Sequence, residues 1–405
     1  MLKKIQRHIS IGKEEIKAVN KVLKKNPLSG FYGSPGKFFL GGPNVQKFEK
    51  RICKFYKVKY AVSFNSWTSG LIAALGSINL EPGDEVLCST WTMTATATSI
   101  LHWNAIPVFI DIEPKYFGMN LEILEKNISK KTKAIIAVDI FGQSEDIFKL
   151  KKIAKKYNLK LISDSAHAPY SKINNRLVGS IADIGGFSFN YHKHINTGEG
   201  GVAITNNYQY AKKMRLIRNH GEAVIHSNSK IIDLVNVIGH NFRMGEIEAA
   251  IGIEQLKKLK SIVKFKNKLA LCLKKELSEL QGIVTPNIRK NSTHAFYVFP
   301  LIIKDPKINR RKFVKILKKN KIPGIIEGYT NLHLLPIYQK KIAYGKKNFP
   351  WSTFKSNINY KKGICPVAEK LHQKSFIGIL LCSYDFRISD IKTISNIIKK
   401  VWSNL

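Results

Sequence analysis

The sequence predicts an α/β protein with a mostly parallel central sheet flanked by helices, followed by a smaller C-terminal α+β domain. Three observations lead to this class. Short apolar runs alternate with amphipathic stretches through the first two-thirds of the chain, as expected of parallel βαβ units. Helical periodicity then continues over 246–277. Beyond Pro286, strand-like runs alternate with a basic helix, so we place the domains at 1–262 and 263–405.

The first domain is predicted element by element. Its strand-like runs are YAVSF, EVLCS, PVFIDI, AIIAVDI and LKLIS. The helix-like stretches between them are SGLIAALGSI, TATATSILHW, LEILEKNI and IFKLKKIAKKY. Ligands of open α/β sheets bind beyond the carboxyl ends of the strands. The candidate positions are therefore those that directly follow a run: 65–66, 89–93, 139–143 and 164–167.

The 246–277 stretch, which spans the proposed domain boundary, is predicted as either one long connecting helix or two helices in succession. The strand-like run HAFYVFPLII follows, and then a basic helix over 310–319. The strand-like run IPGIIEGY precedes a loop region rich in proline, glycine and aromatic residues over 332–360. An amphipathic helix over 389–401 closes the domain.

Composition excludes several classes of protein. The 405 residues are 44% hydrophobic, too many for a disordered chain, and the five cysteines are widely spaced without a metal-ligand motif. We therefore predict no metal site, and reduced thiols in a cytoplasmic protein. The N-terminus lacks an apolar core of signal-peptide length, and the uncharged runs 60–80 and 86–110 are interrupted by polar residues, which argues against a membrane span.

The net charge of +39 raises nucleic acid as an alternative partner. No helix-turn-helix, zinc module or RNA-binding motif accompanies this charge. The region 60–110, which contains several predicted strand ends, has no Lys or Arg. We therefore expect the excess charge on solvated helix faces and predict no specific nucleic-acid partner.

The segment FSFNYHKHINTGEGG carries the lysine with the most distinctive setting, Lys193. It stands between a strand-like run and a glycine cluster, whereas other lysines of the chain cluster on amphipathic helices. A partly buried lysine amine is a nucleophile that forms Schiff bases with carbonyl compounds. Pyridoxal phosphate is the cofactor that most often uses such a lysine, and it also needs a carboxylate facing its pyridine nitrogen and a phosphate cradle.

Candidates for both requirements occur upstream of Lys193. Asp164 directly follows a predicted strand, as a pyridine partner would, although a carboxylate there is also a common cap. Free N–H groups at a strand-to-helix junction favour a phosphate. Such a junction contains Ser66, Thr68, Ser69 and Gly70. Ser188, five residues before Lys193, offers a further hydroxyl.

These motifs resemble the DegT/StrS sugar aminotransferases, and the similarity covers nearly the whole chain. The matching segments are GGPNVQKFEKRICKFYKVKYAVSFNS, GDEVLCSTWTMTATATSILHWNAIPVFIDIEP, DSAHA, the lysine-to-GEGG spacing, RNHGE, GHNFRMGEIEAAIGIEQL and PVAEKL. The resemblance implies a pyridoxal-phosphate-dependent enzyme of fold type I, the fold of aspartate aminotransferase.

The resemblance also implies roles for individual residues. Lys193 would be the catalytic, Schiff-base lysine and proton shuttle. The implied cofactor-binding residues are Asp164, His167, Ser188, Ser66, Trp67, Thr68, Met93, Gln143 and Asn241. The implied substrate-binding residues are Trp91, Arg243 and His194. Glu199 and Gly200 would lie on the loop that frames the cofactor. Because Asn241 would reach the phosphate of the neighbouring subunit, the resemblance implies a homodimer with shared active sites.

Several of these roles have alternatives. Either Met93 or Trp91 would pack on the cofactor ring, since many relatives have Phe or Trp where this chain has Met93. Core packing is the simpler interpretation of three tryptophans: Trp67, Trp91 and Trp103. His167 could be a hydrogen-bonded core residue, and Arg243 could stabilise the dimer instead of contacting substrate.

The expected reaction is transfer of an amino group, from L-glutamate by resemblance, to the keto group of a nucleotide-linked sugar in amino-sugar biosynthesis for a polysaccharide or glycan. A dehydratase or lyase on the same fold is the alternative, because some relatives replace the lysine by His and dehydrate their substrate. Here Lys193 keeps the lysine position between His192 and His194, which favours amino transfer. A basic nucleic-acid-binding protein with a degenerate aminotransferase domain is the third interpretation.

Overall fold

The computed structural model describes residues 2–25, 27–33, 36–221 and 237–405. The helices are α1 (Lys13–Lys25), α2 (Pro43–Tyr56), α3 (Trp67–Ser77), α4 (Ala95–His102), α5 (Leu121–Lys126), α6 (Ile147–Lys156), α7 (Tyr208–Arg218), α8 (Glu246–Glu276), α9 (Arg310–Lys319), α10 (Pro336–Gln339), α11 (Pro366–Lys370) and α12 (Ile388–Ser403). Short 3₁₀ turns cover Lys37–Leu40, Ile140–Gly142 and Leu332–Leu334, and a π-turn covers Leu371–Ser375.

The strands form a large sheet, a small sheet and one short hairpin. They are β1 (Tyr60–Phe64), β2 (Glu85–Ser89), β3 (Ile106–Ile110), β4 (Thr132–Val138), β5 (Lys160–Asp164), β6 (Lys172–Ile173), β7 (Arg176–Leu177), β8 (Ile184–Ser188), β9 (Gly201–Thr205), β10 (Ile283–Val284), β11 (Phe299–Ile303), β12 (Ile325–Ile326) and β13 (Phe376–Ile379). The hairpin is β6 with β7.

The large sheet has the order β1-β9-β8-β5-β4-β2-β3. The pairs among β8, β5, β4, β2 and β3 are parallel, whereas β9 is antiparallel to both of its neighbours. Because β1 and β8 both oppose β9, all strands except β9 run the same way. The predicted mostly parallel α/β sheet is confirmed, and its strands end at one common edge.

Helices begin where the sequence supplies their caps. Asn309 accepts a hydrogen bond from Lys312 N at the start of α9. Pro43 occupies the first turn of α2, where a missing N–H costs nothing. The buried carboxylate of Glu246 accepts hydrogen bonds from the backbone N–H groups of Asn44 and Val45, which ties the start of α8 to the start of α2.

Helix α8 is one continuous element, which decides between the two predicted arrangements. Its first half contributes Ala249 and Ile253 to a cluster beside the large sheet. Its second half contributes Leu269 and Leu273 to the core of the small sheet. The boundary proposed at 262/263 therefore falls inside a helix that belongs to both cores.

The small sheet is antiparallel, with the order β10-β11-β13-β12. Helix α9 packs on it, and α12 packs on α8 and α9 and shares the same hydrophobic core. The run HAFYVFPLII becomes a strand only from Phe299, since Phe296 adopts a positive φ of 51°. IPGIIEGY pairs only through Ile325–Ile326. Both strands are shorter than predicted because their flanking residues leave the sheet.

The proposed boundary places 332–371 in the smaller domain, whereas this segment packs into the core of the large sheet. Tyr338, Trp351 and Tyr360 share one buried cluster with residues of β2 and β3. The hydroxyl of Tyr360 donates a 2.7 Å hydrogen bond to the carbonyl of Pro107. The large core is therefore completed by residues from the C-terminal half of the chain. Within the described ranges, no helix is long and apolar enough to cross a membrane.

Candidate active site

Asp164 ends β5 at the common edge of the sheet and is the anchor of the candidate site. The carboxylate is buried. Oδ1 accepts hydrogen bonds from Trp67 Nε1 at 2.8 Å and from Ala166 N at 3.3 Å, and Oδ2 accepts one from Thr96 Oγ1 at 3.2 Å. Burial raises the pKa of Asp164, while these hydrogen bonds and Lys193 oppose the rise. The result is a desolvated carboxyl group held in one orientation.

Lys193 lies in the loop between β8 and β9 and is only 7% exposed. Its Nζ lies 4.6 Å from the centroid of the Tyr297 ring. Burial lowers the pKa of Lys193 to about 8, against the opposing effect of Asp164. At pH 7 about a tenth of such amines are neutral, far more than for an exposed lysine. Lys193 therefore has the burial and the protonation of a nucleophilic lysine.

His167 lies beside Lys193, on the loop that follows β5. Its ring stacks on that of Tyr297, with centroids 4.0 Å apart and planes 11° apart, and its Nε2 is 3.5 Å from the hydroxyl of Tyr329. Burial, reinforced by the charge of Lys193, lowers the pKa of His167 well below its usual value, so the imidazole is neutral. Its buried Nδ1 has no hydrogen-bond partner among the described residues. Because buried polar atoms are normally hydrogen-bonded, a bound ligand would supply the missing partner.

The turn before α3 provides the hydroxyls predicted to hold a phosphate. Ser66 caps the helix, accepting a 3.1 Å hydrogen bond from Ser69 N, and Ser69 Oγ donates to Asn65 Oδ1 at 2.7 Å. Thr68 is exposed. Ser188, half-buried at the end of β8, accepts a 3.3 Å hydrogen bond from Asn190 N. These hydroxyls lie on elements that adjoin the same edge of the sheet.

Two glycines let α3 begin this close to the sheet. A Cβ on Gly186 of β8 would lie 1.8 Å from Trp67 Cη2, and one on Gly201 of β9 would lie 2.4 Å from Trp67 N. Gly201 pairs with both Phe64 and Ser188, so it lies between the ends of β1 and β8. Because these two positions have no side chains, Trp67 fits against the sheet and hydrogen-bonds to Asp164. The Ser66 turn, which directly precedes Trp67, is thereby held close to Asp164.

Trp91 is predicted as a substrate or cofactor contact, with core packing as the alternative, and its surroundings favour core packing. Trp91 is completely buried, with Nε1 donating to the carbonyl of Tyr329 at 2.5 Å. Its ring is packed edge-on against Phe117, Phe141 and Phe376. Met93, by contrast, is 56% exposed at the turn before α4 and remains the candidate for packing on the ring.

The side chains of Gln143 and His194, two further predicted site residues, make hydrogen bonds to backbone groups. Both ends of the Gln143 amide are occupied, since Nε2 donates to Asn287 O at 3.0 Å and Oε1 accepts from Arg289 N at 2.8 Å. His194 is fully buried, with Nε2 2.9 Å from the carbonyl of Ala295, and burial lowers its pKa to about 3. Both side chains join the loops at the sheet edge to the C-terminal half of the chain.

Asn241 and Arg243 lie on a segment that passes the Ser66 turn. The carbonyl of Phe242 accepts a 2.9 Å hydrogen bond from Asn65 N, while the side chain of Asn241 is exposed. Arg243 Nε donates to Asn219 Oδ1 at 2.7 Å. The fixed position of Arg243 supports an architectural role, and the exposure of Asn241 leaves it accessible to another molecule. The last residue of RNHGE lies outside the described residues.

Sequence reasoning missed Thr96, Tyr297 and Tyr329. Thr96 is one of several alternating Ala and Thr residues, so nothing local distinguishes it. The two tyrosines lie more than a hundred residues beyond Lys193 and reach the site only through the packing of the C-terminal half. Among the residues that the structure covers, no group of three or more His, Cys, Asp or Glu side chains could hold a metal ion.

The assembled groups fit pyridoxal phosphate. A buried amine, a buried carboxylate and an unpartnered imidazole nitrogen belong to residues that interact electrostatically, and hydroxyls lie at a helix start on the same sheet edge. The residues that could hold the cofactor are Lys193, Asp164, His167, Ser66, Thr68, Ser188 and Met93.

The chain is similar to known proteins in sequence and in fold. The spore coat polysaccharide biosynthesis protein SpsC of Bacillus subtilis is 33% identical over 87% of this chain and 88% of its own. GDP-perosamine synthase of Vibrio cholerae is 32% identical over 83% of this chain and 89% of its own. The structure of Helicobacter pylori PseC, an aminotransferase of pseudoaminic acid biosynthesis, matches all of both chains with a TM-score of 0.81 at 26% identity. The DegT/DnrJ/EryC1/StrS aminotransferase family matches residues 10–375, and this chain belongs to that family.

Proposed function

We propose that this aminotransferase uses pyridoxal phosphate to transfer an amino group from L-glutamate to the keto group of a nucleotide-linked sugar. The observation that carries the proposal is the buried pair of Lys193 and Asp164 at the carboxyl edge of the large sheet. Relatives named GDP-perosamine synthase and UDP-4-amino-4,6-dideoxy-N-acetyl-beta-L-altrosamine transaminase support a sugar-nucleotide substrate. The product would be an amino sugar for a polysaccharide or glycan.

The described residues divide the work of holding the cofactor. Lys193 would bind it covalently, Asp164 would face the pyridine nitrogen, and His167 would contact the ring. The Ser66 turn and Ser188 would hold the phosphate. When bound, pyridoxal phosphate supplies an aldehyde for amines and an electron-withdrawing ring that stabilises charge at the reacting carbon.

Lys193 would also carry the proton. Its pKa of about 8 lets the amine remove a proton from the amino donor and return one to the acceptor near neutral pH. The carboxyl group of Asp164 is kept from rotating by Trp67 and Thr96, so its charge stays directed at one position. The burial of both residues leaves each with little contact with solvent.

A homodimer with shared sites is part of the proposal. Asn241 is exposed beside the Ser66 turn, on a segment whose backbone is held by Asn65. An exposed polar side chain in that position would be able to reach the phosphate site of a second copy. We place the enzyme in the cytoplasm, in keeping with its five free cysteines.

The alternative function is a lyase reaction on the same fold, which product analysis distinguishes from amino transfer. Lys193 occupies the lysine position, and the neighbouring His194 is buried against the Ala295 carbonyl. His192 is half-buried, and burial together with the charge of Lys193 lowers its pKa to about 4. Neither imidazole replaces the amine, which favours amino transfer.

The test combines mapping with product analysis. Purified protein should show visible-range absorbance from the cofactor, and borohydride reduction followed by peptide mapping should find the adduct on Lys193. Isotopically labelled glutamate should then deliver labelled nitrogen to a nucleotide-linked keto sugar. An adduct elsewhere would reject the site. A deoxygenated keto product without any amine would identify the lyase instead.

A further inference from the structure

Tyr297 belongs to the C-terminal half of the chain but lies inside the candidate site. It is only 5% exposed, between α8 and β11. Its carbonyl accepts a hydrogen bond from Cys382 N at 3.3 Å, which fixes the backbone against the residues that follow β13. The tyrosine is therefore held by the small sheet while its ring faces residues of the large one.

The ring of Tyr297 contacts both reactive groups of the site. Lys193 Nζ lies 4.6 Å from its centroid, and the His167 ring is stacked on it at 4.0 Å. The rings of His192 and His194 lie 6.1 Å and 6.2 Å away. One aromatic side chain thus contacts residues of two separate loops. The proposed reaction requires those residues to keep fixed positions relative to each other.

The physics of the contact explains what the ring would do. The negative face of an aromatic ring attracts an ammonium group, and the attraction is stronger where water is excluded. An aromatic ring also accepts a flat imidazole at stacking distance on one of its faces. Burial raises the pKa of the Tyr297 hydroxyl well above its usual value, so the ring carries no charge of its own. The interaction depends on the ring rather than on the hydroxyl.

We propose that Tyr297 is a positioning residue of the active site, whose ring holds the Lys193 amine and the His167 imidazole in place. The proposal rests on the proposed function for its consequence in catalysis, but the contact itself is measurable without any reaction. It also gives the small sheet a direct part in the site. Docking of the C-terminal half would then be required to align Lys193.

The experiment measures how readily Lys193 reacts in cofactor-free protein. An amine-acylating reagent is applied over a range of pH, and peptide mapping reports the fraction of Lys193 modified. Tyr297→Phe keeps the ring and should match the wild type. Replacement of Tyr297 by pentafluorophenylalanine keeps the size but weakens the negative face, so the midpoint of labelling should move about 0.5 to 1.5 pH units lower.

The direction of this shift is the decisive result. Losing the ring's attraction destabilises the ammonium form, so the amine loses its proton at lower pH. A midpoint that stays unchanged, or moves higher because water enters, would overturn the proposal. Tyr297→Leu should move in the same direction as the fluorinated variant wherever it remains folded. The control is Tyr338→Leu, which removes a fully buried tyrosine in contact with Trp351 and Tyr360 and should leave Lys193 labelling unchanged.

The same variants separate this inference from the proposed function. If the wild type forms no amino sugar but Lys193 labelling shifts as expected, the function fails and the role of Tyr297 in holding Lys193 stands. If the wild type forms amino sugar and the labelling midpoints coincide, the function stands and the inference fails. When both hold, the fluorinated variant should lower kcat more than it changes KM.

Discussion

Trp67 Nε1 donates a 2.8 Å hydrogen bond to Oδ1 of Asp164. Trp67 is the first residue of α3 and directly follows the Ser66 cap, so this single bond joins the proposed phosphate turn to the proposed pyridine partner. Both side chains are buried, and the indole is seated where Gly186 leaves room for it. One tryptophan therefore links the two groups proposed to bind opposite ends of the cofactor and fixes their spacing.

Trp67→Phe should weaken cofactor binding by about tenfold, because the ring is retained while a hydrogen bond to a charged group is lost. Titration of apoprotein with pyridoxal phosphate, followed by absorbance, measures the effect. Trp103→Phe is the matched control, since its Nε1 donates to the Ile72 carbonyl in the core. Equal losses of affinity in both variants would contradict a specific role for the Trp67 bond.

Gly186→Ala should disturb the same contact from the other side. The added methyl would lie 1.8 Å from Trp67 Cη2, so the indole has to move away from Asp164. We expect a loss of cofactor affinity together with a destabilisation of about 1–3 kcal/mol from overpacking. Cofactor titration and urea unfolding measure the two effects. Gly12→Ala, next to flexible side chains only, should change neither. Unaltered affinity in Gly186→Ala would show that the indole is not held by this fit.

Capture of the cofactor by apoprotein should speed up as the pH rises through about 8. Burial lowers the pKa of Lys193 to that value, and only the neutral amine, present above the pKa, attacks an aldehyde. Stopped-flow absorbance over a pH series measures this. Lys193→Arg should capture no cofactor covalently at any of these pH values, because the guanidinium stays protonated. A capture rate that keeps rising toward the pKa of an exposed lysine would contradict the burial of Lys193.

The parts of the site that the sequence predicted are those whose neighbours lie close along the chain. Asp164 is recognisable as the residue that ends a strand, and Lys193 by its position before a glycine cluster. Gln143 and His194 satisfy the same kind of local rule, yet their side chains bind backbone groups of the C-terminal half. Which way a loop residue points depends on what packs against the loop, and the local sequence does not contain that information.

The elements of the fold likewise fall into those that the local sequence predicts and those that depend on long-range contacts. Strands β1 to β5 alternate regularly with helices, so their apolar runs predict them. Strand β9 is not predicted, because GVAIT directly follows glycines that indicate a loop. The membership of 332–371 in the large core depends on contacts such as that of Tyr360 with Pro107, which join residues 253 positions apart. Contacts of this kind leave no periodic pattern in the sequence.

Removing one charge of the buried ion pair between Arg218 and Glu49 should strongly destabilise the fold. Arg218 Nη1 lies 2.7 Å from Glu49 Oε1, and both side chains are buried. Glu49→Gln leaves the guanidinium without a counter-charge, so unfolding free energy in urea should fall by about 3–5 kcal/mol. Glu125→Gln, which breaks an exposed pair with Lys156, should change it little. A small effect at Glu49 would mean that water reaches Arg218.

If each active site contains residues of both subunits, a mixed dimer of two inactive variants should regain activity. Lys193→Ala lacks the reactive amine, and Asn241→Ala lacks the side chain expected to reach the partner's phosphate site. In a mixed dimer both substitutions fall in one site, which leaves the other site intact. Denaturing and refolding the two variants together should therefore restore glutamate-dependent amination that neither shows alone. Mixtures of Lys193→Ala with Asp164→Ala, two residues of the same chain's site, serve as the control and should stay inactive. If the first mixture also stays inactive while size measurements show mixed dimers, Asn241 acts within its own chain.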